Sequence, residues 1–231
     1  MFKNTIKGMD KIFDKDIKRG KVIIVEGTAG ALKSSLTYSI LAKYLASAGE
    51  YGLYITLEES KQDLKTNMRS IGIKGVPQLH ISDFSEIREK MTDTSMDFLS
   101  LIKQTIGFYY DDVGDTFTTV TIDSFNALYS LLNIDKLNLR NEVFGFFRYL
   151  KSMNLTTFVI KELESDEMGI NSLDFLADGI IELGVLDMAE YPTRYLQVKK
   201  MRGVKHSMKR YQVDFDDEGI LVAGVAYSRG V

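Results

Sequence analysis

The sequence predicts an α/β fold, a mostly parallel twisted sheet flanked by helices with an antiparallel β extension at the C-terminal end. Three observations carry this. Short apolar runs rich in Val, Ile, Tyr and Phe alternate with longer stretches of helical spacing, and strands that alternate with helices pair in parallel. A glycine-containing turn follows the first apolar run and opens a helix. After residue 178 the rhythm changes to strands joined by short breaks, which suits antiparallel pairing.

Residues 22–25, Val-Ile-Ile-Val, form a continuous apolar run of the kind buried on both faces of a parallel sheet. Residues 32–48 place Leu36, Ile40, Leu41 and Tyr44 on one helical face, which packs on that sheet. Runs at 53–57, 79–81, 117–122 and 158–160 supply further strands, and 138–153 supplies the second clear helix. The extension comprises 180–186, a break near 190–192, then 195–201, 211–215 and 220–225. Pro77 and Pro192 are assigned to turns, and no repeat, low-complexity tract or Pro/Gly-rich linker divides the chain. Residues 1–231 are read as a single domain.

Composition excludes several chemistries. The chain has 231 residues, 45% hydrophobic and 26% charged, enough for a sizeable core. No apolar stretch reaches the ~18 residues needed to span a membrane, and the Met-Phe-Lys-Asn start has no signal-peptide core. The expected location is soluble and cytoplasmic, with no membrane partner. Cysteine is absent, and the only imidazoles are His80 and His206, so disulfides, thiolate metal sites and a Cys nucleophile are ruled out. A net charge of −3 gives no global reason to expect nucleic acid.

The turn carries the first chemistry. Gly27, Thr28, Ala29, Gly30, Ala31, Leu32, Lys33, Ser34 and Ser35 approach the phosphate-loop pattern G-x-x-x-x-G-K-[ST], with Leu32 where the pattern has glycine. Gly27 and Gly30 let successive N–H groups point at nucleotide phosphates, and the following helix adds its positive end. Lys33 would reach the β- and γ-phosphates, and Ser34 would offer a hydroxyl to Mg²⁺, which prefers oxygen ligands. Lacking glycine's freedom, Leu32 is expected to adopt an ordinary helical conformation and keep its side chain off the nucleotide. The alternative is a strand-to-helix turn with an exposed lysine; the strand before and the helix after favour the phosphate loop.

Three acids stand at strand ends, where α/β proteins place ligands. Asp123 closes the run at 117–122, as needed to hold Mg²⁺ or its water beside the loop. The alternative is that Asp123 or Ser124 caps the next helix. Glu58 and Glu59 close the run at 53–57, and one of them could orient or deprotonate an attacking water. Neighbours in extended chain point to opposite sides, so only one should face the γ-phosphate. They could equally mark a helix start, since Ser60 and Asp63 have capping-box spacing.

Charge segregates in the tail. From 162 to 190 there are nine acids and no Lys or Arg; from 191 to 210 there are seven bases and no acid. One reading is a hairpin whose faces pair with each other. The other is that Lys200 and Arg202, on one face of a strand, act in trans on a neighbouring subunit's nucleotide in a head-to-tail ring.

With these pieces placed, the chain resembles the KaiC-like branch of the RecA-type P-loop ATPases over nearly its whole length. The segments that carry the resemblance are residues 5–10, the phosphate loop, Tyr54-Ile55-Thr56-Leu57-Glu58-Glu59-Ser60, Ile122-Asp123-Ser124, residues 176–181 and Lys200-Met201-Arg202-Gly203-Val204-Lys205-His206, in family order. The resemblance implies a RecA-like core, ATP with Mg²⁺ between subunits, a catalytic Glu at 58 or 59, and Lys200 and Arg202 reaching a neighbour's nucleotide in a homo-oligomer such as a hexameric ring. Leu32 and the stretch at 15–20, where relatives approach the first strand through glycines, depart from that pattern.

Three functions follow. The first is an oligomeric ATPase whose Mg²⁺-dependent hydrolysis at a subunit interface alters the binding of a regulatory protein. The second is a nucleotide-sensing module with little or no hydrolysis, which Leu32 keeps open. The third is a recombinase-like DNA-binding ATPase; against it, the segment following the run at 158–160 reads Glu162-Leu163-Glu164-Ser165-Asp166-Glu167, which would repel phosphates.

Overall fold

The computed structural model describes residues 2–86, 97–132, 136–163, 174–187, 191–217 and 219–226, except the side chains of Lys136 and Leu137. In chain order the elements are β1 (Val22–Gly27), α1 (Lys33–Ala48), β2 (Tyr51–Thr56), α2 (Lys61–Ser70), β3 (Leu79–Asp83), α3 (Phe98–Val113) and β4 (Phe117–Asp123). They continue with α4 (Phe125–Leu131), α5 (Lys136–Ser152), β5 (Thr156–Glu162), β6 (Gly179–Asp187), β7 (Pro192–Met201), β8 (Tyr211–Asp216) and β9 (Gly219–Val225). One sheet runs β3-β2-β4-β5-β1-β6-β7-β8-β9. Pairing is parallel from β3 to β6 and antiparallel from β6 to β9.

Successive residues of a strand face opposite sides of the sheet, so the central strands feed two cores. Ile23 and Val25 of β1 join α1, α2, the inner face of β7 to β9 and the N-terminal segment through Phe2, Ile6, Met9 and Phe13. Val22 and Ile24 join α3, α4 and α5 on the other side. Burying both faces explains why β1 is apolar without alternation. It also leaves every functional group of the parallel strands to be presented at their carboxyl ends.

Three expectations are corrected. The strand at 180–186 was grouped with the antiparallel extension, yet β6 pairs parallel with β1 and antiparallel with β7, so it belongs to both halves. Pro192 opens β7 opposite Asp187 instead of lying in a turn; the first residue of a strand tolerates the missing donor. Helix α1 is buried nearly all round, including Thr37, Ser39 and Ala42, because the sheet, the N-terminal segment and β9 enclose it.

Asp178 fixes β1 to β6. Its carboxylate accepts from the Val22 amide at 3.0 Å and lies 2.7 Å from the Lys151 ammonium, while its own amide donates to the Val22 carbonyl. Burial raises its pKa, but those partners outweigh burial and hold it below the ordinary value.

A charged ladder crosses the sheet one residue below the carboxyl ends of β1 and β5. Glu26 and Lys161, register partners on β1 and β5, are each 1% exposed, with Nζ 2.7 Å from Oε2. Lys161 also meets Asp174 at 2.5 Å, and Lys199 of β7 bridges Glu26 at 3.1 Å and Glu182 at 2.9 Å. The segregated charges of the tail therefore pair in part with each other, Lys199 with Glu182 and Arg202 with Asp178. Removing one member of a buried pair strands the other. Lys161→Ala is expected to lower urea-unfolding stability by about 3 kcal/mol, and the double variant Glu26→Leu/Lys161→Met to recover most of that loss. A single-variant loss below about 1 kcal/mol would show that the ladder is not structural.

Candidate nucleotide site

The phosphate loop links β1 to α1 at the carboxyl edge of the sheet. Gly27 is required by close approach, since a Cβ there would stand 2.1 Å from the Leu183 carbonyl oxygen of β6. Gly30, with φ +75°, makes the turn. The Thr28 carbonyl accepts from the Ala31 amide at 3.3 Å and the Lys33 ammonium at 2.9 Å, which closes the loop on itself. Thr28, Ala29 and Gly30 are exposed, Ala31 and Lys33 are buried, and Leu32, Ser34 and Ser35 are half-buried. Leu32 contradicts its expected helical conformation: it has φ +70° and ψ +26°, the left-handed geometry that suits glycine. Its side chain packs against the core beside α1, which anchors the loop in that conformation.

The expected metal pair is brought together. Asp123 ends β4 beside Thr56 of β2, its carboxylate accepts from the Tyr54 hydroxyl at 2.5 Å, and the Ser34 hydroxyl is near enough to favour its ionised form. Burial pushes the Asp123 carboxyl above its ordinary value, against the opposing effect of the Tyr54 and Ser34 hydroxyls. The capping role falls to Ser124, whose Oγ accepts from the Ala127 amide at the start of α4. The Asp123–Ser124 peptide is cis.

Glu58 and Glu59 diverge, though they lie in a bend past the end of β2 and not in extended chain. Glu58 is exposed, and its carboxylate accepts from the Ser124 hydroxyl at 2.5 Å, which places it beside Asp123. Glu59 turns to α2, where Asn67 donates to it, and its backbone is held by the Thr56 hydroxyl. Burial raises the Glu59 carboxyl, with Asp123 adding to the rise. Ser60 supplies the N-cap half of the expected capping box: its Oγ accepts from the Asp63 amide at 3.1 Å, while the Asp63 carboxylate accepts from that hydroxyl at 2.7 Å.

Lys200 and Arg202 do not join this cluster. Lys200 pairs with Ile180, and Met201 with Gly179, so both cations lie toward the amino ends of the parallel strands, away from the loop. They lie together: the Lys200 ammonium donates to the Asp174 carbonyl and the Arg202 guanidinium to the Phe175 carbonyl, each at 3.0 Å. Burial, and then the Arg202 charge, lower the Lys200 pKa.

Two further residues stand at the loop. Glu162, at the end of β5, comes within 3.4 Å of the Lys33 ammonium, and Asn126 holds its amide at 2.9 Å. Arg194 of β7 donates to the Gly30 carbonyl at 3.3 Å. Glu162 had a readable signal, an acid closing an apolar strand like Glu58 and Asp123; Arg194 had none. The acids at 164, 166 and 167 that argued against DNA lie outside the described residues. Among the described residues no group of three His, Cys, Asp or Glu side chains could hold a metal, and no helix is long and apolar enough to cross a membrane.

The chain as a whole is similar to known proteins. A family model described as "ATPase: KaiC" matches residues 2–226. The chain is 29% identical over 234 residues to a UPF0273 protein of Aeropyrum pernix, covering 95% of this chain and 92% of that one. It is 26% identical to the circadian clock oscillator protein KaiC of Synechococcus elongatus, covering 93% of this chain but 42% of that protein. In fold it is similar to the crystal structure of a KaiC-like protein from Pyrococcus horikoshii, with a TM-score of 0.78 at 24% identity, covering 95% and 96% of the two chains.

A left-handed backbone at Leu32 predicts which replacements the loop accepts. Leu32→Gly should leave nucleotide affinity intact or improve it, whereas Leu32→Ile, β-branched and poorly accommodated at positive φ, should weaken it about fivefold in a fluorescent-nucleotide titration. Equal affinity of Leu32→Ile and wild type would contradict the assigned geometry.

Proposed function

The chain belongs to the KaiC family of ATPases, and from that premise we propose that it binds ATP with Mg²⁺ on the Gly27–Ser35 loop and hydrolyses it, with Lys200 and Arg202 of a neighbouring copy completing the site. The observation that carries this is the convergence of Lys33, Ser34, Asp123 and Glu58 on one strand edge, where Lys33 and Ser34 act on the Asp123 carboxylate and the Ser124 hydroxyl donates to Glu58.

Each role follows from chemistry. The exposed loop amides and the start of α1 receive phosphate oxygens, and Lys33 supplies the charge that meets the β- and γ-phosphates. The oxygen donors Ser34 and Asp123 fit Mg²⁺, which takes one or two protein oxygens and fills its sphere from water and phosphate. When bound there it would neutralise charge developing on the phosphates. Glu58 is the base, since its carboxylate stands at the Asp123 edge and can accept the proton of an attacking water. Glu59, engaged by Asn67 and Thr56, positions the turn that carries Glu58. Glu162, within reach of Lys33, senses whether that lysine is engaged by phosphate.

Lys200 and Arg202 lie too far along the sheet to serve their own loop, which favours a ring-like homo-oligomer such as a hexamer. Nucleotide state would then alter the contact between copies and, through it, the binding of a regulatory protein. The second reading, a sensor that scarcely turns over, is favoured by the strained Leu32 alone.

Phosphate release separates the two readings. Glu58→Gln is expected to reduce turnover about a hundredfold or more while ATP affinity changes little, and Glu59→Gln to reduce it less. Undetectable phosphate release by the wild-type chain, with tight Mg-ATP binding, would select the sensor.

A further inference from the structure

We propose that the cleft between α1, α2 and the turn at 74–77 binds a small molecule bearing a di- or triphosphate group. The cleft has a volume of about 470 Å³ and is lined by Lys65 and Arg69 of α2, Lys74 and Gly75 of the turn, and Tyr38 of α1. That size falls within the range of about 300–1,000 Å³ typical of small-molecule sites. Lys74 also borders an adjoining cavity of about 310 Å³, on whose wall Asp217 lies.

Three features distinguish the cleft from an ordinary solvated helix face. First, none of its lining residues is acidic, and Lys65, Arg69 and Lys74 have no ion-pair partner among the described residues, unlike Lys33, Lys151, Lys161 and Lys199. Second, Tyr38 is 2% exposed, and its hydroxyl has no hydrogen-bond partner among the described residues. The ring is enclosed but the hydroxyl is not among the fully buried unpartnered atoms: it reaches the wall of the same cleft that Arg69 lines, where a bound oxygen could accept from it. Third, Gly75 keeps the hydroxyl accessible, because a Cβ there would stand 3.1 Å from it.

A flat carboxylate would use the guanidinium fork but leave the two ammonium groups unanswered. Three cations and one hydroxyl donor match the charge and the tetrahedral oxygens of linked phosphates. The Tyr38 ring packs 5.8 Å from that of Tyr54, whose hydroxyl holds Asp123, so an occupant would sit behind the aromatic pair that supports the metal carboxylate. The site shares no residue with the phosphate loop, and its existence does not depend on hydrolysis.

The test is isothermal titration calorimetry of inorganic tripolyphosphate into the full chain carrying Lys33→Ala, which weakens the phosphate loop. Saturable binding is expected, weakened about tenfold or more when Arg69→Ala and Lys74→Ala are added, and more modestly by Tyr38→Phe, with unchanged circular dichroism. Arg140→Ala/Arg148→Ala, on α5, is the charge control and should have no effect. No saturable binding, affinity indifferent to Arg69 and Lys74, an equal loss in the control, or citrate binding as tightly as tripolyphosphate would each overturn the proposal.

Discussion

The parallel register of four strands is the constraint on which the site depends. Gly27 of β1 pairs with Glu162 of β5, and Thr56 of β2 pairs with Asp123 of β4, so these strands end at one edge. That edge gathers Lys33 and Ser34, Glu58, Asp123 and Glu162 from four segments far apart in sequence. A slip of β4 by one residue would reverse the faces of Asp123 and Ser124, taking the carboxylate from Ser34 and the hydroxyl from Glu58. Tyr54 ties the same register to chemistry, since a side chain projecting from β2 reaches the acid at the end of β4.

Stability and site geometry meet just beneath that edge. The apolar strands give way to Glu26, Lys161, Glu182 and Lys199 one residue before the loop and the terminal acids begin. Such a ladder is costly to desolvate and is sustained only by complete pairing. It also connects the ends of the molecule: Asp174 meets Lys161 through its carboxylate and Lys200 through its carbonyl. The segment that holds the distal cations is thereby fixed to the strands that carry the loop. Leu32 is a second local cost, a leucine in a conformation about 1–2 kcal/mol unfavourable for a side chain.

Much of this was legible in the sequence. Short apolar runs bounded by helical spacing mark β1 to β5, most plainly β1, β4 and β5, which are buried on both faces, whereas the edge strand β3 exposes His80. The loop, Asp123 and the Glu58-Glu59 pair were readable because each acid or glycine interrupts an apolar run at its end. Other features depend on pairing that no local pattern encodes. Whether β6 lies parallel to β1 depends on contacts such as that of Asp178 with Val22, made between segments about 150 residues apart along the chain. Leu32's backbone is set by the loop closing on Thr28 and by packing beside α1, which override its own preference. Arg194 and Tyr38 carry no local signal of their roles, and only the folded chain shows that one faces the Gly30 carbonyl and the other a cleft.

The central claim is that one copy's phosphate loop works with another copy's Lys200 and Arg202. It is tested most directly by mixing two inactive chains, Lys33→Ala and Lys200→Glu/Arg202→Glu, and measuring phosphate release. The account predicts that each alone is inactive, that the second still binds nucleotide, and that mixtures regain turnover at interfaces pairing an intact loop with intact cations. Mixtures that stay inactive while the two chains co-assemble, or full turnover by Lys200→Glu/Arg202→Glu alone, would contradict it.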